Sequence, residues 1–202
     1  MLCHIAVWLK TNYIELAGTI TGFIYIYFQI KENIWLWPFG IITSSFFIYV
    51  FFQTKFYADM GLNVYYLFIS IYGWAYWKKG ERNSEQEKLP INSVRPPLWI
   101  TLAVISFILF GIIAYVLKNF TDSPIPYLDS FTTSLSIVAT WMLARKLLQH
   151  WLLWIIIDTT SFALYIYKGL YATTLLFIVY TVLAILGYMA WKKEFNLQHE
   201  EI

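Results

Sequence analysis

The strongest constraint on this chain is that it repeats itself. Ile71-Tyr72-Gly73-Trp74-Ala75-Tyr76-Trp77-Lys78-Lys79 returns 114 residues later as Ile185-Leu186-Gly187-Tyr188-Met189-Ala190-Trp191-Lys192-Lys193. The same shift carries Glu15 onto Asp129, Trp37 onto Trp151, Ser44 onto Asp158, and Tyr57-Ala58 onto Tyr171-Ala172. Each copy is built from three long apolar stretches, so the chain reads as a duplicated membrane protein. Parallel or inverted repeats of this kind are a common plan of small transporters, with the substrate held between the halves.

A spanning helix needs about 20 mostly apolar residues. Seven stretches meet or approach that length: Tyr13–Gln29, Trp35–Phe52, Met60–Trp77, Leu98–Leu117, Tyr127–Leu147, Trp151–Tyr167 and Tyr171–Trp191. Lys31-Glu32-Asn33 separates the first two, and Pro38 suits the first turn of a new helix. The one long hydrophilic stretch, Lys78–Pro97, reads as an exposed linker. Leu98–Leu117 has no partner in the repeat and becomes a connector. The expected architecture is all-α and integral to the membrane, with seven transmembrane helices in a 3+1+3 plan. Residues 13–77 form the first three-helix repeat, 78–97 the linker, 98–117 the connecting helix, 127–191 the second repeat and 192–202 a tail.

Charged residues make up 13% of the chain, against about 25% in a soluble domain. A net charge of +2 gives no footprint for nucleic acid. A single cysteine, Cys3, excludes an internal disulfide framework and a thiol-rich metal site. Only Lys10 precedes the first apolar segment, and no A-x-A pattern closes it, so a retained first span is expected rather than a cleaved signal. The linker, the loop after span one and the ends of spans five and seven hold ten Lys and Arg. The opposite face holds four, namely Lys10, Lys55, Lys118 and Lys168. The more basic face is cytoplasmic by the positive-inside rule. The N-terminus is then outside, the C-terminus inside, and the two repeats run parallel across the membrane.

Span six offers the most chemistry. Trp151, Trp154, Asp158 and Tyr165 sit at i, i+3, i+7 and i+14, which at ~100° per residue places them within roughly 60° on the helix wheel. Asp158 lies about 10 Å inside Trp151 at ~1.5 Å per residue. A central aspartate costs about 2.5 to 3.5 kcal/mol to insert, so it should face a partner or a wet cavity. Trp154, Trp141, Tyr66, Tyr165 and Tyr180 lie deeper than interfacial belts explain. Trp8, Trp35, Trp77, Trp99 and Trp191, near span ends, read most simply as belt residues. A cage of aromatic rings suits a flat or cationic heterocycle. Asn63 adds an amide with donors and an acceptor that prefer a fixed partner. The remaining hydroxyls in the spans, among them Ser136 and Thr140, bond most simply to their own helix or a neighbour. Gly18 and Gly22 read as close helix packing. Glu15 and Asp129 stand near the outer ends of spans one and five, as a cation-attracting vestibule or a solvated face.

No HExxH, P-loop or GxGxxG motif occurs, and His4, His150 and His199 are dispersed. No cofactor or metal is expected, and nothing couples the chain to ATP. A membrane enzyme would need a convergent acid–base cluster, of which only Asp158 and His150 offer a fragment. A structural membrane protein would have the aromatic stripe packed shut.

Six motifs together resemble the PnuC family of bacterial vitamin transporters. They are Trp37-Pro38-Phe39-Gly40, Tyr57-Ala58-Asp59, Gly73-Trp74-Ala75-Tyr76-Trp77, Ala144-Arg145-Lys146, Trp151-Leu152-Leu153-Trp154 with Asp158, and Tyr167-Lys168-Gly169-Leu170-Tyr171. The likeness runs from about Glu15 to Trp191. It implies a seven-span 3+1+3 fold related to SWEET-type sugar transporters, and facilitated diffusion of a vitamin that a cytoplasmic kinase traps by phosphorylation. Most members of the family carry nicotinamide riboside, and related branches carry thiamine or riboflavin. In the nicotinamide riboside pattern a glutamine precedes the aromatic of span five and an asparagine precedes Trp-x-x-Trp. Here Thr140 precedes Trp141 and His150 precedes Trp151, which raises thiamine to nearly equal standing. Both ligands carry a cationic ring. The expected substrate site comprises Trp151, Trp154, Asp158, Tyr165, Trp141, Thr140, Trp37, Asn63, Tyr66 and Tyr180. A homo-oligomer is compatible with the sequence.

Overall fold

The structure is a computed structural model that describes residues 13–53, 57–83, 89–121, 123–167 and 171–200. They form seven α-helices: α1 Tyr13–Ile30, α2 Leu36–Gln53, α3 Tyr57–Asn83, α4 Pro96–Phe120, α5 Pro126–Ala144, α6 His150–Tyr167 and α7 Tyr171–Glu200. Extended pairing among the described residues is limited to one isolated parallel bridge, Asn92 to Leu147. Trp8, Lys10, Lys55, Lys88 and Lys168, used above, lie outside the described residues, as does the side chain of Glu15.

Helices α2, α4 and residues 174–200 of α7 are each long and apolar enough to cross a membrane unaided. Helix α5 is more polar for a physical reason. It packs against both α4 and α6, so much of its surface meets protein rather than hydrocarbon. Its Ser130, Ser134, Ser136 and Thr140 are all buried. Small residues of this kind let backbones approach closely, and the hydroxyls of Ser130, Ser134 and Thr140 are satisfied within the helix. Ser134 donates to Phe131 O at 2.9 Å and Thr140 to Ser136 O at 2.8 Å. By contrast, α4 turns Ile100, Phe107, Ile112, Tyr115 and Phe120 outward as an apolar flank suited to lipid.

The chain forms two compact units, Met1–Lys79 and Gly80–Ile202, with the division inside α3. In the first, α1 packs along α2. A Cβ at Gly18 would stand 3.2 Å from the Phe47 ring, so glycine permits the close approach there. Thr43 donates to Thr21 across the same pair at 2.9 Å. In the second unit, α4, α5, α6 and α7 pack as consecutive neighbours.

Three expectations need correction. Trp77 and Trp191 are not interfacial belt residues: their exposures are 1% and 0%. Helices α3 and α7 continue past them to Asn83 and Glu200, so the span ends predicted there are helix interiors, and the tail at 192–202 is helical through Glu200. Nor is the linker exposed throughout. Ile91 and Val94 are buried, because residues 89–95 lie across the turn between α5 and α6. Span five ends at Ala144 rather than Leu147, where Lys146 takes a left-handed φ of 56° and turns the chain. Its mate in the repeat, Glu32, does the same at 52° between α1 and α2.

Candidate functional site

The residues that repeat most closely build a lock. Gly187 on α7 has no side chain, and the Trp151 indole fills the place: a Cβ there would stand 2.4 Å from the ring. Trp191 closes on Trp151 edge-first at 6.0 Å and 83°. The His150 ring lies 4.7 Å from both indoles, with its Nδ1 2.8 Å from Leu147 O. The first unit repeats the arrangement. A Cβ at Gly73 would stand 2.4 Å from Trp37, and Trp77 meets Trp37 edge-first at 5.4 Å and 90°. These contacts pin α6 to α7 and α2 to α3. Trp37 and Trp151, both expected in the site, spend their ring faces on this packing, while their indole N–H groups are buried without a hydrogen-bond partner among the described residues.

One turn further along α6 the chemistry changes. The Trp154 indole N–H is buried and also lacks an acceptor. Asp158 follows at i+4, so the two side chains share a helix face. Its exposure is 6%, and no hydrogen bond or ion pair to its carboxylate is found among the described residues. Tyr180 of α7 is the group that interacts with it electrostatically. A buried donor without an acceptor and a carboxyl group on a residue only 6% exposed stand one turn apart, each costly to leave unpaired in a membrane interior. Beside them Tyr165 of α6 stacks on Phe177 of α7 at 5.2 Å and 25°, and Phe177 meets Tyr180 edge-on at 5.9 Å. The stripe read from the sequence therefore faces α7 at Trp151, Asp158 and Tyr165, which brings Asp158 and Tyr165 towards Tyr180 and Phe177, while Trp154 stands one turn before Asp158 on the same helix.

The other expected residues stand elsewhere. Thr140 is buried with its hydroxyl on Ser136 O. Trp141 packs against the cluster of Val94, Leu102, Val138, Met142 and Leu147, with the Arg145 guanidinium 5.9 Å over its ring. In the first unit, the Asn63 amide donates to Asp59 O at 2.9 Å, within its own helix. Tyr66 lies beside Tyr65 at 5.9 Å and interacts with Tyr25. Asp129 accepts the Ser123 hydroxyl at 2.6 Å in the first turn of α5. Phe177 went unnoticed in the sequence, although the repeat offset points to it, since it is the mate of Asn63.

The two copies differ where the unpaired groups lie. The mate of Trp154 is Gly40, where a Cβ would stand 2.8 Å from the Ser70 hydroxyl and 3.0 Å from the Tyr25 ring. The mate of Asp158 is Ser44. The first unit thus closes with Tyr25 and Ser70 what the second leaves to an indole N–H and a carboxylate. A separate groove of about 440 Å³ runs between α4 and α5, lined by residues such as Trp99, Phe107, Phe131, Val138 and Leu153. It is almost wholly apolar and holds none of the expected residues, so it suits hydrocarbon rather than a cation. No group of three or more metal-ligating side chains occurs among the described residues.

A family model described as nicotinamide mononucleotide transporter matches residues 12–193. The chain belongs to this family. It is 30% identical to the nicotinamide riboside transporter PnuC of Escherichia coli strain K12, over 89% of this chain and 85% of that one. The PnuC of Neisseria mucosa is 25% identical, over 90% and 73%. The riboflavin/roseoflavin transporter RibM of Streptomyces davaonensis is 24% identical, over 88% and 83%. The fold matches the crystal structure of the vitamin B3 transporter PnuC with a TM-score of 0.75 at 23% identity, over 96% of this chain and 86% of that one. The family and the apolar helices together make the chain a multi-pass membrane transporter and not an enzyme.

Proposed function

We propose that this protein is a facilitator for uptake of a cationic heteroaromatic vitamin across the bacterial inner membrane, with its N-terminus outside and its C-terminus in the cytoplasm. Nicotinamide riboside is the leading substrate, and a cytoplasmic vitamin kinase traps it by phosphorylation. The observation that carries this reading is the unpaired couple on α6: the Trp154 N–H and the Asp158 carboxylate, buried one turn apart. A pyridinium ring with a polar substituent supplies a positive charge for the carboxylate and an acceptor for the indole N–H. Tyr165, Phe177 and Tyr180 offer the aromatic wall that such a ring prefers. The relatives named for nicotinamide riboside agree with that chemistry.

Thiamine is the second reading, favoured by two positions. Thr140 and His150 stand where the nicotinamide riboside pattern has Gln and Asn, and both are buried with local hydrogen bonds. Binding of nicotinamide riboside, thiamine and riboflavin to the purified protein in proteoliposomes, measured in parallel, decides among them. Trp154→Ala should weaken the bound vitamin about tenfold, for a lost cation–π and N–H contact of ~1 to 2 kcal/mol. Membrane insertion should be unchanged. Equal affinities for parent and variant would remove Trp154 from the site.

A further inference from the structure

The segment between α3 and α4 is held by three side chains of other elements. Lys146, 1% exposed, donates its ammonium to Leu89 O. Gln149 uses both ends of its amide: Oε1 accepts Val94 N at 2.9 Å and Nε2 donates to Ser93 Oγ at 2.6 Å. Gln198, far along α7, accepts Ile91 N at 3.0 Å. Between these anchors the backbones pair directly, Asn92 N donating to Lys146 O and Leu148 N to Asn92 O, each at 2.9 Å. Ile91 and Val94 are 1% and 6% exposed beneath them. Three of the strap's N–H groups and two of its carbonyls are thereby satisfied by protein partners, a burial that composition alone does not forecast.

The backbone of Lys146 makes the point sharper. A left-handed φ of 56° costs an unbranched side chain energy that glycine would avoid. Glu32 adopts the same conformation in the first copy, so the turn itself does not demand an amine. The ammonium belongs to the copy that has a carbonyl to hold. Gln149 immediately precedes the first residue of α6, the helix that carries Trp154 and Asp158.

We propose that residues 89–95 form a strap that stays docked throughout transport, and that Lys146, Gln149 and Gln198 are positioning residues that fix the start of α6 through it. Helices α4, α5, α6 and the end of α7 then move as one body on this side. The positioning role rests on the substrate site proposed above; the docking itself does not.

The test uses a Cys3→Ser background, since Cys3 is the chain's one cysteine. Ile91→Cys should react with a hydrophilic maleimide about tenfold more slowly than Asn92→Cys, the exposed neighbour, because labelling requires local opening. Added nicotinamide riboside should leave that ratio unchanged. Lys146→Ala should bring the two rates together. Gln149→Ala and Gln198→Ala should raise the KM for uptake roughly tenfold at equal membrane content, as expected when a support lets a binding group shift. Equal labelling of Ile91→Cys and Asn92→Cys in the parent, or labelling of Ile91→Cys that accelerates with substrate, would overturn the docked strap. An unchanged KM in variants whose Ile91→Cys has become reactive would overturn the positioning role. Failure of the parent to bind the vitamin would instead sink the substrate assignment, while the labelling rates still report on the strap.

Discussion

Asp158→Asn should weaken binding of a cationic vitamin by roughly 30-fold, the loss of about 2 kcal/mol that accompanies a hydrogen bond to a charged group. It should leave the empty protein as stable as the parent or more so. The two effects have opposite signs for one reason. Asp158 is 6% exposed, and no cation pairs with it among the described residues, so in the empty protein its charge is a cost. A bound pyridinium or thiazolium turns that cost into attraction. Asparagine keeps the shape and removes both. Calorimetric titration of parent and variant reads the first effect, and thermal unfolding in detergent without ligand reads the second. A carboxylate that merely braces α6 against α7 predicts the reverse pair, a lower unfolding midpoint with unchanged affinity. Neutral riboflavin, if it binds at all, should lose much less than a cation does.

The sequence made the number of helices, the internal repeat and the α6 stripe legible, because each rests on a period along the chain. Trp151, Asp158 and Tyr165 do share the face that meets α7. Periodicity could not say what meets that face. Trp77 and Trp191 looked like belt residues because they stand where apolar runs end; only the continuation of α3 and α7 shows them to be interior. Gly40 and Trp154 are mates in the repeat, yet one admits Tyr25 and Ser70 while the other presents a buried N–H. That asymmetry lies in which ring occupies a gap, and pattern carries no such information. The strap fails for a related reason. Polar residues such as Asn92 and Ser93 look alike in sequence whether water or a glutamine satisfies them. The 114-residue offset applied to Asn63 lands on Phe177, the ring between Tyr165 and Tyr180.

Gly187→Ala and Gly73→Ala should each destabilise the protein by about 1 to 3 kcal/mol, the usual range for overpacking a close-packed interior. In both, the new methyl would stand 2.4 Å from an indole, well inside the ~3.5 Å at which carbon atoms rest. The ring must retreat, and Trp191 or Trp77 lies edge-on beside it. Loss of stability alone therefore cannot distinguish the copies, and substrate affinity can. Trp151 stands one turn before Trp154 on α6, so a shift of that indole reaches the unpaired couple. In the first copy the corresponding turn carries Gly40, already packed by Tyr25 and Ser70. Gly187→Ala should accordingly weaken vitamin binding as well as lower the unfolding midpoint, whereas Gly73→Ala should lower the midpoint with affinity held. Trp151→Phe, which removes the colliding part of the indole, should recover part of the stability lost in Gly187→Ala. A double-mutant cycle would then show coupling of roughly 0.5 to 3 kcal/mol. Affinity that falls equally in both alanine variants would assign the ligand to both repeats and displace the α6 couple from its central role.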